Sequence, residues 1–124
     1  MVTKDPLHTR RFDYMTTFDT SQIQWRVPWH AVSPDYAAKA EAEIHREMCD
    51  GHVLFGRSAA AIGYRQDCDD VLFYLGESAP SFAVVHLTWQ QETESTWPET
   101  SLFDSLESWV KQRMIEDAED FDTR

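Results

Sequence analysis

The sequence is short of the residues from which several common functional sites are built. It has four glycines in 124 residues, too few for a glycine-rich loop of the kind that binds phosphate. It contains neither a Gly-x-Ser-x-Gly elbow nor a His-Glu-x-x-His motif. The usual signatures of nucleotide-dependent enzymes, serine hydrolases and zinc proteases are therefore missing from it.

Cysteines and long apolar runs are scarce as well. The two cysteines, Cys49 and Cys68, form no Cys-x-x-Cys pair, and we expect both to be reduced thiols with structural roles. The longest apolar stretches, such as 59–62 and 82–85, are far shorter than the roughly 20 residues of a membrane span. The first residues carry charges and a proline where a signal peptide would be apolar. We therefore expect a cytoplasmic protein without a membrane segment.

Positive charge is also in short supply. The chain has 11 basic and 22 acidic residues and a formal net charge of −11, which repels nucleic-acid phosphates and anionic lipid. The same charge would speed association with a basic protein, although small proteins also carry acidic surfaces for solubility alone. We expect no nucleic-acid partner, and a basic protein is the partner that the charge favours.

The hydrophobic content of 42% and aromatic content of 13% are those of a folded domain. Ser33-Pro34-Asp35 predicts a helix start, because Ser can cap free N–H groups and Pro is tolerated in the first turn. Gly51 predicts the end of that helix near Asp50. A second amphipathic helix, capped by Thr100 or Ser101, is predicted to pack on a sheet. The pattern therefore predicts an α+β fold with two helices and a three- to four-stranded antiparallel meander, its strands near 59–65, 69–75 and 82–89, with an edge strand in 23–32.

Composition divides the chain into three parts. Residues 1–24 show no sustained periodicity, and we expect a loosely docked arm. Residues 25–115 form the predicted single domain. Residues 116–124 are mostly acidic, so they repel one another, have little to bury and are predicted to fray into solvent.

Pairing the predicted strands across their turns makes the sheet apolar on both faces. In that register Val71 lies opposite His86 on the same face. A sheet of this kind must be covered on both sides by helices, by the N-terminal arm or by a second subunit. A homodimer through an uncovered face is one of the arrangements that this predicts.

Two strand sequences carry a resemblance. The run Asp67-Cys68-Asp69-Asp70-Val71-Leu72-Phe73 is followed by Ala83-Val84-Val85-His86-Leu87-Thr88-Trp89, then by Trp97-Pro98 and Phe103. This resembles small uncharacterised bacterial proteins in which a "DxDDVLF" strand precedes a "VVHLTW" strand, over about the last two thirds of the chain. The resemblance implies a bacterial, stand-alone, cytosolic domain and assigns no catalytic role to any residue.

The acidic turn Asp67, Asp69 and Asp70 lies beside His86 in the predicted hairpin. A carboxylate and an imidazole in contact could act as general acid and base, or could hold a divalent cation together with Asp67. The structural alternative is that the aspartates cap the turn, that Asp70 faces Arg65, and that His86 is a hydrogen-bonded core residue.

A second candidate site follows the first predicted helix. Glu41, His45 and Cys49 recur at every fourth position, and His52 follows just past the helix end. These side chains could bind a transition metal if the chain turned back after Gly51. The spacing matches no named motif, and an ordinary surface pair of Glu41 and His45 explains it equally.

The five tryptophans suggest a contact surface, because Trp is enriched at binding hot spots. Trp89 and Trp109 lie on predicted buried faces and are explained by core packing. Trp25, Trp29 and Trp97 are the predicted interface residues.

Together these patterns favour a non-enzymatic protein-binding or regulatory domain without a cofactor. An immunity-type protein that neutralises a basic partner is one concrete version. The alternative is a small enzyme or metal-binding protein that uses Asp69 or Asp70 with His86, or the group Glu41, His45 and His52.

Overall fold

The computed structural model describes residues 18–90 and 93–123. In this part of the chain one antiparallel sheet has five strands, and strands that are consecutive in sequence are neighbours in the sheet. The strands are β1 (Trp29–Ala31), β2 (Ala60–Arg65), β3 (Asp70–Tyr74), β4 (Phe82–His86) and β5 (Thr100–Phe103). The predicted α+β class and antiparallel meander are confirmed, with more strands than predicted. The predicted arm lies largely outside the described residues.

The first helix, α1, spans Pro34–Glu47 and begins as predicted. The Ser33 hydroxyl accepts a hydrogen bond from the Tyr36 backbone N–H at 3.1 Å and so caps the helix. The helix ends before Asp50, because Met48 is already extended. Gly51 adopts a positive φ of 96° in the turn that follows, a conformation that glycine tolerates best.

The C-terminal helix has three consecutive parts, which are α2 (Leu106–Trp109), a π-helical turn (Val110–Met114) and α3 (Ile115–Asp122). Its cap is Ser105, whose hydroxyl accepts from the Ser108 N–H at 3.1 Å. The predicted cap at Thr100 or Ser101 is wrong, because both residues belong to β5 and pair with β4. No helix in the two described segments is long and apolar enough to cross a membrane.

Helices cover the sheet on both faces. One core lies under α1 and the other under the C-terminal helix, so helices provide the cover, which was one of the three predicted arrangements. The α1 core includes Ala40, Ile44, Leu54, Val71, Phe73, Ala83, Val85 and Leu87. The core under the C-terminal helix includes Ile23, Trp29, Ile62, Leu72, Phe82, Val84, Trp109 and Met114.

The pairing of β3 with β4 differs by one residue from the predicted register. Asp70, rather than Val71, lies opposite His86, and Tyr74 lies opposite Phe82. The connection between β3 and β4 therefore comprises residues 75–81, whereas residues 76–81 were predicted. Because a slip of one residue exchanges the two faces of a strand, Asp70 and His86 come to share a face.

The acidic C-terminal residues are helical and in contact with the sheet, contrary to the predicted frayed tail. The Asp117 carboxylate accepts a hydrogen bond from Trp29 Nε1 at 2.9 Å. It also pairs with Arg113 Nε at 3.1 Å and with Arg65 Nη1 at 3.4 Å. Ala118 is buried. These contacts hold the last helical turns against the sheet.

Replacing Asp117 by Ala is therefore expected to lower the free energy of unfolding by about 1–3 kcal/mol, because it leaves the buried Trp29 N–H without an acceptor and two guanidinium groups without a carboxylate. Urea unfolding measures the change. The matched control is Glu119→Ala on the exposed side of α3, for which a change within about 0.5 kcal/mol is expected. Equal effects of the two substitutions would show that α3 does not depend on Asp117.

Candidate functional site

Three polar side chains form a row across neighbouring strands. Asp70 on β3 lies directly opposite His86 on β4. On the other side the His86 backbone N–H donates to the Glu99 carbonyl at 2.9 Å, so Glu99 follows in the same row just before β5. Directly opposed residues point to the same face of a sheet. The row lies on the face covered by the C-terminal helix, beyond the apolar residues Leu72 and Val84.

The Asp70 carboxylate holds two partners at once. Its Oδ1 lies 2.7 Å from His86 Nδ1, and its Oδ2 accepts from Arg113 Nη2 at 2.7 Å. Asp70 is 8% exposed, whereas the His86 side chain is 46% exposed. Because a carboxylate can only accept, His86 must carry its proton on Nδ1, and Nε2 is left for another partner.

Arg113 reaches this row from the π-helical turn of the C-terminal helix. Its Nη2 donates to Asp70 and its Nε pairs with Asp117 at 3.1 Å. The guanidinium carbon also lies 6.0 Å from the centre of the Trp29 ring. Turns of this kind occur frequently at functional sites, and here the turn contributes a cation that two carboxylates neutralise.

These side chains line an open cleft of about 370 Å³, which we call the polar cleft. Its lining consists of Asp70, Val84, His86, Glu99, Ser101 and Arg113. The sequence prediction that an aspartate meets His86 applies to Asp70. Asp69 is exposed, and Asp67 instead pairs with Arg65 at 2.8 Å.

A second buried carboxylate was not predicted from the sequence. Glu47 is fully buried, and its two oxygens accept from the Thr88 N–H at 2.8 Å, the Thr88 hydroxyl at 3.0 Å and the Trp89 N–H at 2.6 Å. Trp89 has a positive φ of 60°, which is uncommon for a bulky residue. Glu47 therefore fixes the backbone just beyond β4. The signal that could have found it is its spacing in α1, because Glu47 follows the buried residues Ala40 and Ile44 by seven and three positions and so lies on the same side of the helix.

The pKa of Glu47 is raised from its ordinary value of 4.5 to about 7. Burial is the main cause, and the neighbouring Glu43 side chain adds to it, while the bonds from Thr88 and Trp89 oppose the increase. Burial also acts to raise the pKa of Glu43, but hydrogen bonds from Glu47 and Arg46 outweigh it, and that pKa is lowered. Glu47 is therefore the more readily protonated of these two carboxyl groups.

The predicted interface tryptophans have different surroundings. Trp97 is 42% exposed, whereas Trp29 is fully buried, so the prediction that Trp29 is an interface residue is wrong. Trp25 is partly buried and packs edge-on against Trp109, with ring centres 6.0 Å apart. A Cβ atom at Gly63 would lie 2.6 Å from its ring. Of the three, Trp97 is the one that presents a large exposed surface.

Trp97 lies on one of two loops that contact each other. A Cβ atom at Gly51 would lie 3.2 Å from Ser95 Cβ, and the buried His52 donates from Nε2 to the Pro98 carbonyl at 2.9 Å. Large exposed side chains come from both loops and from the adjoining edge strand β5. We call them the apolar surface, and they are Val53, Phe55, Trp89, Trp97 and Leu102. The prediction that Trp89 packs in the core is therefore wrong, because its side chain is 39% exposed.

The predicted metal ligands do not converge. Glu41 accepts from the Ala61 N–H at 2.8 Å, while His45 Nδ1 lies 2.7 Å from the Glu41 backbone carbonyl. His52 is occupied at both nitrogens, because its Nδ1 also accepts from the Leu54 N–H at 3.0 Å. Within 18–90 and 93–123, no group of three or more His, Cys, Asp or Glu side chains is suited to hold a metal ion.

Comparisons with known proteins gave no match. The chain matches no protein-family model, and neither the curated proteins nor the solved structures include one that is detectably similar to it. The function must therefore be inferred from the polar cleft and the apolar surface themselves.

The raised pKa of Glu47 predicts a pH-dependent stability. Unfolded Glu47 loses its proton near pH 4.5 and folded Glu47 near 7, so the unfolded state binds fewer protons between these values and stability falls as the pH rises. From pH 5 to 7.5 we expect wild type to lose on the order of 1–3 kcal/mol relative to Glu47→Gln, which cannot ionise. Urea unfolding at several pH values tests this. A constant difference between the two proteins across that range would contradict it.

Proposed function

We propose that this chain is a protein-binding domain and that the apolar surface is its contact site. The observation that carries the proposal is the placement of the exposed apolar side chains. Apart from Val27, the large hydrophobic side chains that stand out as exposed in the described segments all belong to this surface. Large apolar side chains exposed together on two contacting loops and the strand that adjoins them differ from the scattered single residues of an ordinary surface, and such exposure is characteristic of interaction sites.

Buried polar groups support the same proposal, because they hold the apolar surface in one conformation. Glu47 fixes Trp89 through the backbone bonds described above. His52 joins the loop that carries Val53 to the loop that carries Trp97. Burying a carboxylate is costly, so its use at this position is consistent with a loop whose shape matters. A surface that is already ordered loses less entropy when a partner binds.

The partner favoured by charge is a basic protein. The net charge of the chain is −11, and exposed acidic residues, Asp50, Glu94 and Glu99, lie on the two loops or next to them. Opposite charge around an apolar centre speeds association and excludes wrong partners. An immunity-type protein, which neutralises a basic partner by binding it, fits this combination.

The alternative of a small enzyme draws its support from the Asp70–His86 pair, which resembles an oriented general base. Catalysis on an acyl or phosphoryl group also requires a donor or cation that stabilises developing negative charge. Arg113 is the cation in the lining of the polar cleft, and it is already bound to Asp70 and Asp117. This arrangement supports binding better than it supports catalysis.

Site-specific photo-crosslinking tests the proposed surface. Benzoylphenylalanine at position 55 should capture a basic protein from the cells of origin, whereas the same group at the exposed position 112 on the C-terminal helix should not. The captured protein, once purified, should bind wild type, and Trp97→Ala should weaken its affinity at least about tenfold, as for a hot-spot residue. Affinity measured by calorimetry should also fall with added salt.

The matched control is Val27→Ala, which removes an exposed apolar side chain away from the apolar surface and should leave the affinity unchanged. Equal capture at positions 55 and 112, or full affinity of Trp97→Ala, would contradict the proposal. A crosslinked dimer of this chain would assign the surface to self-association instead and would likewise contradict a basic partner.

A further inference from the structure

The polar cleft contains three hydrogen-bond acceptors that the described part of the chain leaves unused. They are Nε2 of the neutral His86 ring, the Glu99 carboxylate and the Ser101 hydroxyl oxygen, and all three residues line the cleft. His86 is bound through Nδ1 alone. Glu99 and His86 are neighbours in one row, and Ser101 lies opposite Val84 in the next row on the same face. A ligand of this cleft must therefore be a donor to several acceptors at once.

The charged groups around the cleft decide whether such a ligand is a cation or an anion. Ion pairs connect the carboxylates of Asp67, Asp70 and Asp117 to the guanidinium groups of Arg65 and Arg113, and Glu99 adds a further carboxylate to the cleft lining. With His86 neutral the site carries net negative charge. Among the described residues that line the cleft, an anion would meet Asp70 and Glu99 and no cation that is not already paired, so phosphate and carboxylate ligands are disfavoured.

We infer that the polar cleft binds the guanidinium or primary ammonium group of a ligand, with Glu99 as its counter-ion and with His86 Nε2 and Ser101 as further acceptors. Both groups are multiple donors with no acceptor. Asp70 and Arg113 do not touch the cation in this arrangement; they orient the imidazole. Val84 gives the cleft an apolar wall for the methylene groups that precede the charge.

The cation can come from two sources, an arginine or lysine side chain of a partner protein or a free small amine. Where it comes from a partner, the inference rests on the proposed function and names a second contact beside the apolar surface. Where it is a free amine, the inference is independent of that surface.

The probe is N-acetyl-arginine methylamide, titrated into isotopically labelled protein while the His86 ring signals are followed by NMR. These signals are assigned by their loss in His86→Gln. We expect a saturable shift at one site, and Glu99→Gln should weaken it at least about fivefold, since one charge-assisted contact is removed. The matched control is Glu119→Gln, which removes the same charge from the exposed side of α3 and should leave the binding constant within about twofold of wild type.

Two further titrations sharpen the test. N-acetyl-citrulline methylamide has the shape of the probe without its charge and should not saturate the site, and acetate should leave the His86 signals unmoved. Equal binding of the citrulline compound, equal binding by Glu99→Gln, or a saturable response to acetate would each overturn the inference.

Comparison with the crosslinked partner separates the sources. If Glu99→Gln weakens both the probe and the purified partner, the cation belongs to the partner. If it weakens the probe while the partner is unaffected, the cleft takes a free amine and the proposed function stands. If it weakens the probe and position 55 captures no partner, the cleft takes a free amine and only the proposed function fails.

Discussion

The contacts of Asp117 decide which parts of one sheet face are buried and which remain open. By accepting a hydrogen bond from Trp29 and pairing with Arg65 and Arg113, this carboxylate fixes the C-terminal helix over the apolar centre of the sheet. The helix then covers Trp29 completely but leaves the row that contains His86 partly exposed. The polar cleft is thus the uncovered margin of a helix–sheet contact, and its shape depends on the ion pairs that hold the helix.

Two buried carboxylates fix the conformation of residues at the end of β4. Asp70 orients His86, the last residue of the strand, and Glu47 fixes Thr88 and Trp89 just beyond it. Burial of an ionisable group contributes little to stability on its own account, and hydrophobic residues could have filled the same volume. The concentration of such groups at one strand end is consistent with a region that must hold a defined shape, which is what both proposed binding sites require.

The parts of the fold that were predicted correctly depend on local chemistry, and the parts that were missed depend on distant contacts. Ser33 caps α1 by a hydrogen bond to the backbone of the first helical turn, so all the residues that form the cap are close together in the sequence. The register of β3 and β4 depends on whether Leu75 belongs to the strand or to the connection, and apolar alternation does not distinguish these because both faces are apolar. Likewise, α3 is held by Asp117, whose partners Trp29 and Arg65 are far away in the sequence. The sequence pattern predicted that an aspartate of the turn lies near His86. Identifying that aspartate as Asp70 required the register of β3 and β4.

The polar and apolar sites would contribute differently to the capture of a basic partner. The net charge of −11 acts over roughly a Debye length and mainly raises the rate of encounter, whereas close apolar contacts mainly slow dissociation. Trp97 and Phe55 are exposed on loops that contact each other, so the entropy of ordering them is largely lost during folding rather than binding. A basic side chain seated against Glu99 would fix the orientation of the partner. In the proposed complex, net charge would thus set the association rate and the apolar contacts would set the lifetime. One oriented ion pair would add specificity.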